Sequence, residues 1–571
     1  MWIARQIWSG FLNYAEVLYK MKTYYAFALT ILVGLTSCAG PQNSSATSLI
    51  PPQAQLEIKD GWYHFNGQKV FINALGYEIG ARPGQHPKVQ RPAEPERVRQ
   101  DLKIIQSAGF NAVRTWAEFY ESELQVVQES GMKVIMGIGY DPGADFGDPQ
   151  VKAEFLELTS SVLEYSKNFD CIITYLIMNE PMPEHIRNVG AQATVDLWTA
   201  IRDLIYAEHP GVPVTITGNS AITEFVDMNI FDIYAYNSYV YDGFNYTHGY
   251  TNACRILPQM NGQGKPLMMT EFGFSVSPQG GEALYGGNTM QAQMEILPWY
   301  YRQLLDAGAA GACPFYYADG WWKGGAPDDH SVHPEEWFGF WGYASATDSI
   351  GYPRPVWHAV KTYNQALISS PKNQTFYQNE IPLEVFLQPE VAEMRVLHHD
   401  RLLLSMTNFS GSLLEEQLSF MNEPLTDREL IFEFYDQAGR LLKIESIMTL
   451  TGPDPIQWPR LTMKTPQTDL NQSQNLQVEL ILENDTLFIL DREVRYQFST
   501  HIGWSRGEKR SWRVNPVAST QSFQDSYVIP EQSPLLGLYA GTEIRYGKFV
   551  KTIHSEDLVY RGNWADPIRI K

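Results

Sequence analysis

The 571-residue sequence predicts an α/β fold, a (β/α)8 TIM barrel followed by a C-terminal all-β region. Three observations predict it. Short apolar runs alternate with helical patterns eight times up to about residue 368. After about residue 370 the texture changes to period-two alternation broken by turn residues. Two glutamates follow directly on two of the apolar runs, at the ends of strands where such a barrel carries its working residues.

Taken in order, the chain begins with a targeting pattern. Met21-Lys22 is a short basic start, and 24–35 is apolar but far short of the ~20 residues a helix needs to span a bilayer. It ends in Leu35-Thr36-Ser37-Cys38, which resembles the lipobox of bacterial lipoproteins. The resemblance implies export, acylation of Cys38 and a membrane anchor, and Ala39 after the cysteine implies sorting to the outer membrane. Residues 1–38 are read as this signal segment and 39–55, rich in Ser, Pro and Gln, as a tether.

Residues 56–369 are read as the barrel. Asn66-Gly67 between two apolar runs signals a hairpin, which would close the barrel floor and lead into a first strand ending near Ala74. A helix follows at 95–108, with Val98, Leu102 and Ile105 on one face, then a strand at 111–116. The pattern continues with helix 121–130, strand 133–138, helix 150–167 and the apolar run 172–178. Next come helix 193–208, strand 212–217, a short helical piece near 221–226 and strand 231–236. Segment 251–260 leads to the run 266–270, followed by helix 289–307, strand 311–316 and a closing helix at 355–367. Residues 370–571 are read as a β-sandwich-like accessory region, with a sandwich over roughly 375–500; 501–571 either completes it or packs back on the barrel.

Composition narrows the function classes. A formal net charge of −21 with no basic run argues against binding nucleic acid. Aromatics make up 13% of the chain, which suits stacking on sugar rings as well as it suits a large core. The four cysteines, Cys38, Cys171, Cys254 and Cys313, match neither zinc nor disulfide spacing, and Cys171 and Cys313 read as buried thiols. No His-x-His stands at a strand end and His-Glu-x-x-His is absent. His330 and His333 fall in a loop and read as solvated. No metal and no cofactor are expected.

The strand ends, read in order, carry Tyr77 and Glu78, Arg114 and Trp116, Tyr140 and Asp141, Asn179 and Glu180, Asn219, Asn237 and Tyr239, Glu271, and 317–322. Asn-Glu occurs three times, but only Asn179-Glu180 follows a buried-strand pattern. A pair of carboxyls, one protonated and one ionised, is what hydrolysis of a glycosidic bond requires. Glu180 and Glu271 are the candidate pair.

In this set Asn179-Glu180 on the fourth strand and Glu271 on the seventh resemble the acid/base and nucleophile of clan A glycoside hydrolases, the 4/7 superfamily. The segments 111–115 and 237–239 resemble that clan's second-strand arginine and sixth-strand tyrosine segments, and Thr270-Glu271-Phe272-Gly273 resembles family 2. The resemblance covers about 60–368 and extends to families 2 and 5. It implies a retaining enzyme that acts on a β-linked poly- or oligosaccharide, with Arg114, Asn179, Tyr239, Asn237, Trp116 and Tyr77 around the substrate. Trp321 or Trp322 is expected as the floor under the sugar. The alternatives are a transglycosylase of the same mechanism and a non-catalytic carbohydrate-binding surface lipoprotein.

Overall fold

The computed structural model describes residues 55–87, 89, 91–218, 226, 228–239, 264–280, 286–466, 475–484, 487–499, 508–528, 535–555 and 558–561. Cys38 with its signal segment, Asn219, Cys254, the 251–260 segment and most of the piece near 221–226 lie outside the described residues.

Eight parallel strands close into a barrel. They are β1 Ile72–Gly76, β2 Ala112–Arg114, β3 Lys133–Gly137, β4 Ile172–Asn179, β5 Val214–Gly218, β6 Tyr234–Asn237, β7 Leu267–Phe272 and β8 Gly311–Pro314. Neighbours pair in chain order, and β8 pairs with β1 to close the ring. Seven residues of β4, from Ile172 to Met178, are buried in succession. A strand covered on both faces has no need to alternate, so it reads as a continuous apolar run.

The helices between them are α1 Pro95–Ser107, α2 Glu121–Ser130, α3 Pro149–Ser166, α4 Pro183–Val189, α5 Ala191–Glu208, α6 Met290–Ala307 and α7 Pro355–Tyr363. Their starts are specified locally. Asp148 accepts the Gln150 amide at 2.8 Å ahead of Pro149 in α3, and Thr289 accepts the Ala292 amide at 3.0 Å in α6. The last helix, expected to reach 367, ends at Tyr363, because Ala366–Ser370 is already a strand of the next unit.

A three-stranded antiparallel sheet, Leu56–Lys59, Trp62–Phe65 and Gln68–Val70, precedes the barrel. Its turn is Asn66-Gly67, both with positive φ (51° and 77°), the geometry a two-residue hairpin demands. Tyr63, Phe65 and Val70 pack against Ile72, Ala112, Ile135, Ile173 and Met268, so the sheet closes the amino-terminal end of the barrel. Cys171 and Cys313 are buried, and burial pushes the Cys171 thiol up to about 12.

The β region holds two sandwiches where one was expected over 375–500. In the first, a three-stranded sheet (Ala366–Ser370, Glu380–Leu387, Leu413–Ser419) faces a five-stranded one that includes Thr426–Tyr435 and Leu441–Gly452. They enclose a core of Ile381, Val385, Met394, Phe432 and Phe434. In the second, Arg460–Lys464, Asn475–Glu483 and Thr520–Val528 face a sheet built on Leu535–Tyr546, around Leu480, Val494, Phe498 and Ile544. Strands on both sides of residue 501 share that second core, so the described strands of 501–571 belong to a sandwich of their own instead of completing the first.

The first sandwich docks on the closed end of the barrel. Lys69 pairs with Glu384 at 2.7 Å, Gln388 donates to the Gly109 carbonyl at 3.1 Å, and Lys443 donates to the Tyr363 carbonyl at 3.0 Å. Glu445 accepts from Tyr363 at 3.0 Å and from Arg302 at 3.4 Å. Each of these barrel residues lies in the floor sheet, before a strand begins, or toward the end of a helix that returns to the floor. The open, carboxyl-terminal end of the barrel is left to the βα loops.

Candidate active site

Glu271 stands near the end of β7 and is buried. Three side chains from two other strand ends aim donors at its carboxylate. Arg114, at the end of β2, donates Nη1 to Oε1 at 2.5 Å, and the Trp116 indole N–H reaches the same oxygen at 2.8 Å. Tyr239, just past β6, donates its hydroxyl to Oε2 at 2.6 Å. An ionised carboxylate is an acceptor on both oxygens, and the donor set matches that form.

The register of Glu271 depends on its neighbour Gly273. A Cβ there would lie 2.5 Å from the Phe315 carbonyl oxygen and 2.8 Å from the Phe338 ring. β7 and β8 approach so closely at this point that only glycine fits. Gly273→Ala is therefore expected to destabilise the fold by about 1–3 kcal/mol and to lower turnover by displacing Glu271. Urea denaturation and steady-state rates on the same preparation measure both.

Glu180 follows β4 directly and takes a left-handed backbone conformation, φ 47°. A side chain in that region costs about 1–3 kcal/mol, and positions held there cluster at functional sites. Its amide is tied to the Thr217 carbonyl of β5 at 2.8 Å. Asn237, at the end of β6, donates Nδ2 to Glu180 Oε1 at 2.9 Å. Thr217 and Thr270 both lie 2.9 Å from Asn237 Oδ1, which turns the amide so that its NH2 faces Glu180.

The two carboxyls differ in surroundings. Glu180 opens to the cleft, while barrel atoms crowd its carboxyl from below. That desolvation comes first and the charge of Glu271 second; together they push Glu180 up to about 7, against the Asn237 bond and the Arg114 charge that pull it down. Arg114 joins the two halves of the site. It is fully buried, and its Nη2 donates to Asn179 Oδ1 at 2.5 Å while Nη1 holds Glu271. Asn237 Nδ2 lies 3.4 Å from the same Asn179 oxygen. Glu271, Arg114, Asn179, Asn237 and Glu180 thus form one polar chain across the ends of β2, β4, β6 and β7.

A family model described as "Glycosyl hydrolases family 2, TIM barrel domain" matches residues 56–310. The barrel is of the clan A glycoside hydrolase type, related to family 2. Two curated relatives are β-galactosidases. That of Vibrio cholerae is 27% identical over 185 residues, covering 30% of this chain and 16% of its own length. That of Yersinia enterocolitica is 27% identical over 184 residues, with the same coverage of 30% and 16%. The match thus spans well under a fifth of those relatives. Among solved structures, β-glucuronidase 3 of Bacteroides uniformis is 14% identical at a TM-score of 0.42, covering 88% of this chain and 64% of that one. The β-glucuronidase of Parabacteroides merdae is 12% identical at 0.44, covering 89% and 64%.

Within this clan A barrel two expected contacts fall elsewhere. Tyr77 points into the core instead of the cleft. It is 1% exposed and its hydroxyl donates to buried Asp101 at 2.9 Å. Trp321 is buried and stacks on His330 at 4.5 Å, and His330 stacks in turn on Trp337 at 3.7 Å. This three-ring stack staples the β8–α7 loop, so Trp321 offers no face to a sugar and His330 is not solvated. Trp322 is half-buried, packs on His86 at 4.6 Å and lies under the Lys323 ammonium, 4.6 Å from its ring centre. The aromatics that touch the Glu271 carboxylate are Trp116 and Tyr239, and behind them packs Phe315, directly after β8. It meets Trp116 at 5.3 Å and Tyr239 at 6.1 Å, both edge-on, and so buttresses two donors to Glu271. Its position at a strand end was the available signal. Among the described residues no group of three or more His, Cys, Asp or Glu side chains is placed to hold a metal ion.

Proposed function

We propose that this chain is a retaining glycosidase that cleaves a β-linked poly- or oligosaccharide by double displacement. Glu271 attacks the anomeric carbon as the bond to the leaving oxygen breaks, and Glu180 gives that oxygen its proton. The sugar is left covalently bound to Glu271. Glu180, now ionised, takes a proton from water as the water attacks the anomeric carbon. Glu271 leaves, and Glu180 is protonated again for the next cycle. Asn179 presents its NH2 group to the sugar, since its oxygen is held by Arg114.

The polar chain from Glu271 through Arg114, Asn179 and Asn237 to Glu180 carries this reading, because it sets one carboxyl among donors and leaves the other tending to keep its proton. The family 2 barrel match supports it. Export and anchoring through acylated Cys38 form part of the proposal and rest on the sequence pattern alone.

Proton NMR of the first sugar released tests the mechanism. Retention of the anomeric configuration is expected, and a 2-deoxy-2-fluoro glycoside with a good leaving group should trap a glycosyl ester on Glu271 that peptide mass spectrometry locates. Inversion, or a label on another residue, overturns the assignment.

A further inference from the structure

Beside the carboxylate pair the cleft holds a second charged group that the mechanism above does not use. Lys323 lies in the short helix Trp321–Gly324 of the β8–α7 loop. Its Nζ stands 3.4 Å from Glu78 Oε1, just past β1, and 3.8 Å from Glu335 Oε2, farther along the same loop. The ammonium also lies 5.1 Å from the centre of the Phe315 ring and 5.8 Å from that of Trp116. Since the Trp116 indole N–H touches Glu271, Lys323 is one ring away from the reacting carboxylate.

We propose that Glu78, Lys323 and Glu335 form a hydroxyl-reading subsite that favours a neutral β-hexoside and disfavours a β-linked uronic acid. The inference rests on the glycosidase reading above and deepens it by naming the substrate class. A sugar hydroxyl both donates and accepts, so an ammonium flanked by carboxylates offers it both partners at once. The separations of 3.4 and 3.8 Å exceed the ~2.7–2.9 Å of a closed charge-assisted pair. Lys323 is therefore clasped by both carboxylates without being fully engaged by either, and its donors can turn to a ligand.

Charge decides against a uronate. One ammonium is shared by two carboxylates, and among the described residues the other cation of the site, Arg114, is committed to Glu271 and Asn179. A substrate carboxylate entering here meets Glu78, Glu335 and Glu271, and like charges brought together in a cleft are strongly unfavourable. The field of Glu335 also reaches Glu180, which places the clasp within electrostatic range of that carboxyl.

The test is kinetic. The full-length chain is assayed with 4-nitrophenyl β-glucoside, β-galactoside, β-mannoside and β-glucuronide. At least one neutral substrate is expected to exceed the glucuronide by on the order of 100-fold in kcat/KM. Lys323→Met should lower kcat/KM for that substrate by on the order of 10–100-fold with an unchanged Tm, and the glycoside deoxygenated at the hydroxyl read by Lys323 should lose its sensitivity to the substitution. Glu78→Gln with Glu335→Gln should narrow the gap between neutral substrate and glucuronide at least about 10-fold. If Lys323→Met does not fold, Glu335→Gln alone serves, since that side chain is 42% exposed. Faster turnover of the glucuronide, or kinetics untouched by these substitutions, overturns the clasp while leaving the glycosidase reading in place. Neutral and carboxylated cyclophellitol aziridines separate the two failures. If neither labels Glu271 and no substrate turns over, the glycosidase reading falls and the clasp falls with it.

Discussion

Replacing Glu271 with Gln is expected to reduce turnover by on the order of 10⁶-fold, the scale on which covalent enzymes lose activity without their nucleophile. The amide keeps the shape and one acceptor but cannot attack the anomeric carbon. Its second consequence is electrostatic. The Glu271 charge is the second-largest reason that Glu180 is pushed up to about 7, so neutralising it lets Glu180 fall back toward the ordinary carboxyl range. The carbon-13 signal of a labelled Glu180 carboxyl, followed from pH 4 to 9 in wild type and variant, reports this directly. A Glu180 titration that does not move when Glu271 is neutralised would mean that the two groups are not coupled. Adding azide to Glu271→Ala, which leaves room for a small nucleophile, should restore turnover of an activated β-glycoside as the α-glycosyl azide.

Loss of Glu180 is expected to depend on the substrate. Positioned acid catalysis is worth on the order of 10²–10⁴-fold. Glu180→Gln should lose that factor on glycosides with poor leaving groups, such as the sugar alkoxide of an oligosaccharide. It should lose far less with a dinitrophenolate, which needs no proton. In the wild type, kcat/KM should fall as pH rises through about 7, when Glu180 gives up its proton, and Glu180→Gln should lack this basic limb. The same group links stability to pH. A carboxyl whose folded value is raised contributes stability at low pH, and this is lost as pH rises from its unfolded value near 4.5 through about 7. The Tm of Glu180→Gln relative to wild type should accordingly become more favourable between pH 5 and pH 8. A Tm difference that stays flat over that range, together with an unchanged basic limb, would remove Glu180 from the acid role.

Several features of this molecule were legible in the residues because they are short-range. The run 172–178 is apolar on both faces because β4 is covered on both, and Glu180 comes next where the strand stops. Asn66-Gly67 supplies the two positive φ values its hairpin needs. Gly273 matters for a reason the sequence could not disclose, the approach of the carbonyl oxygen of Phe315, 42 residues further along the chain. The division of residues 366–561 into two sandwiches was equally hidden. Period-two alternation marks a strand, but not which sheet it joins or which core it helps to fill.

The finer departures at the site have two origins. Tyr77 and Glu78 are adjacent, and a step of one residue along an extended chain reverses the direction of the side chain. Tyr77 went to the core, where Asp101 waits for its hydroxyl, and Glu78 went to the cleft and Lys323. Trp321 was drawn into a stack with His330 and Trp337 that no local pattern announces.

From the sequence alone came the alternation that predicts a barrel, the strands that end in Glu180 and Glu271, and the residue types able to divide acid and nucleophile work between them. Only the tertiary structure decided that Arg114 and Asn179 bridge those two strands, that Asn237 turns its amide to Glu180, and that Phe315 backs Trp116 beside Glu271. The physical reason is range. Strand and helix propensities act between neighbours, whereas barrel closure and loop packing bring together groups remote along the chain, and the charge state of each glutamate is set by what it then meets.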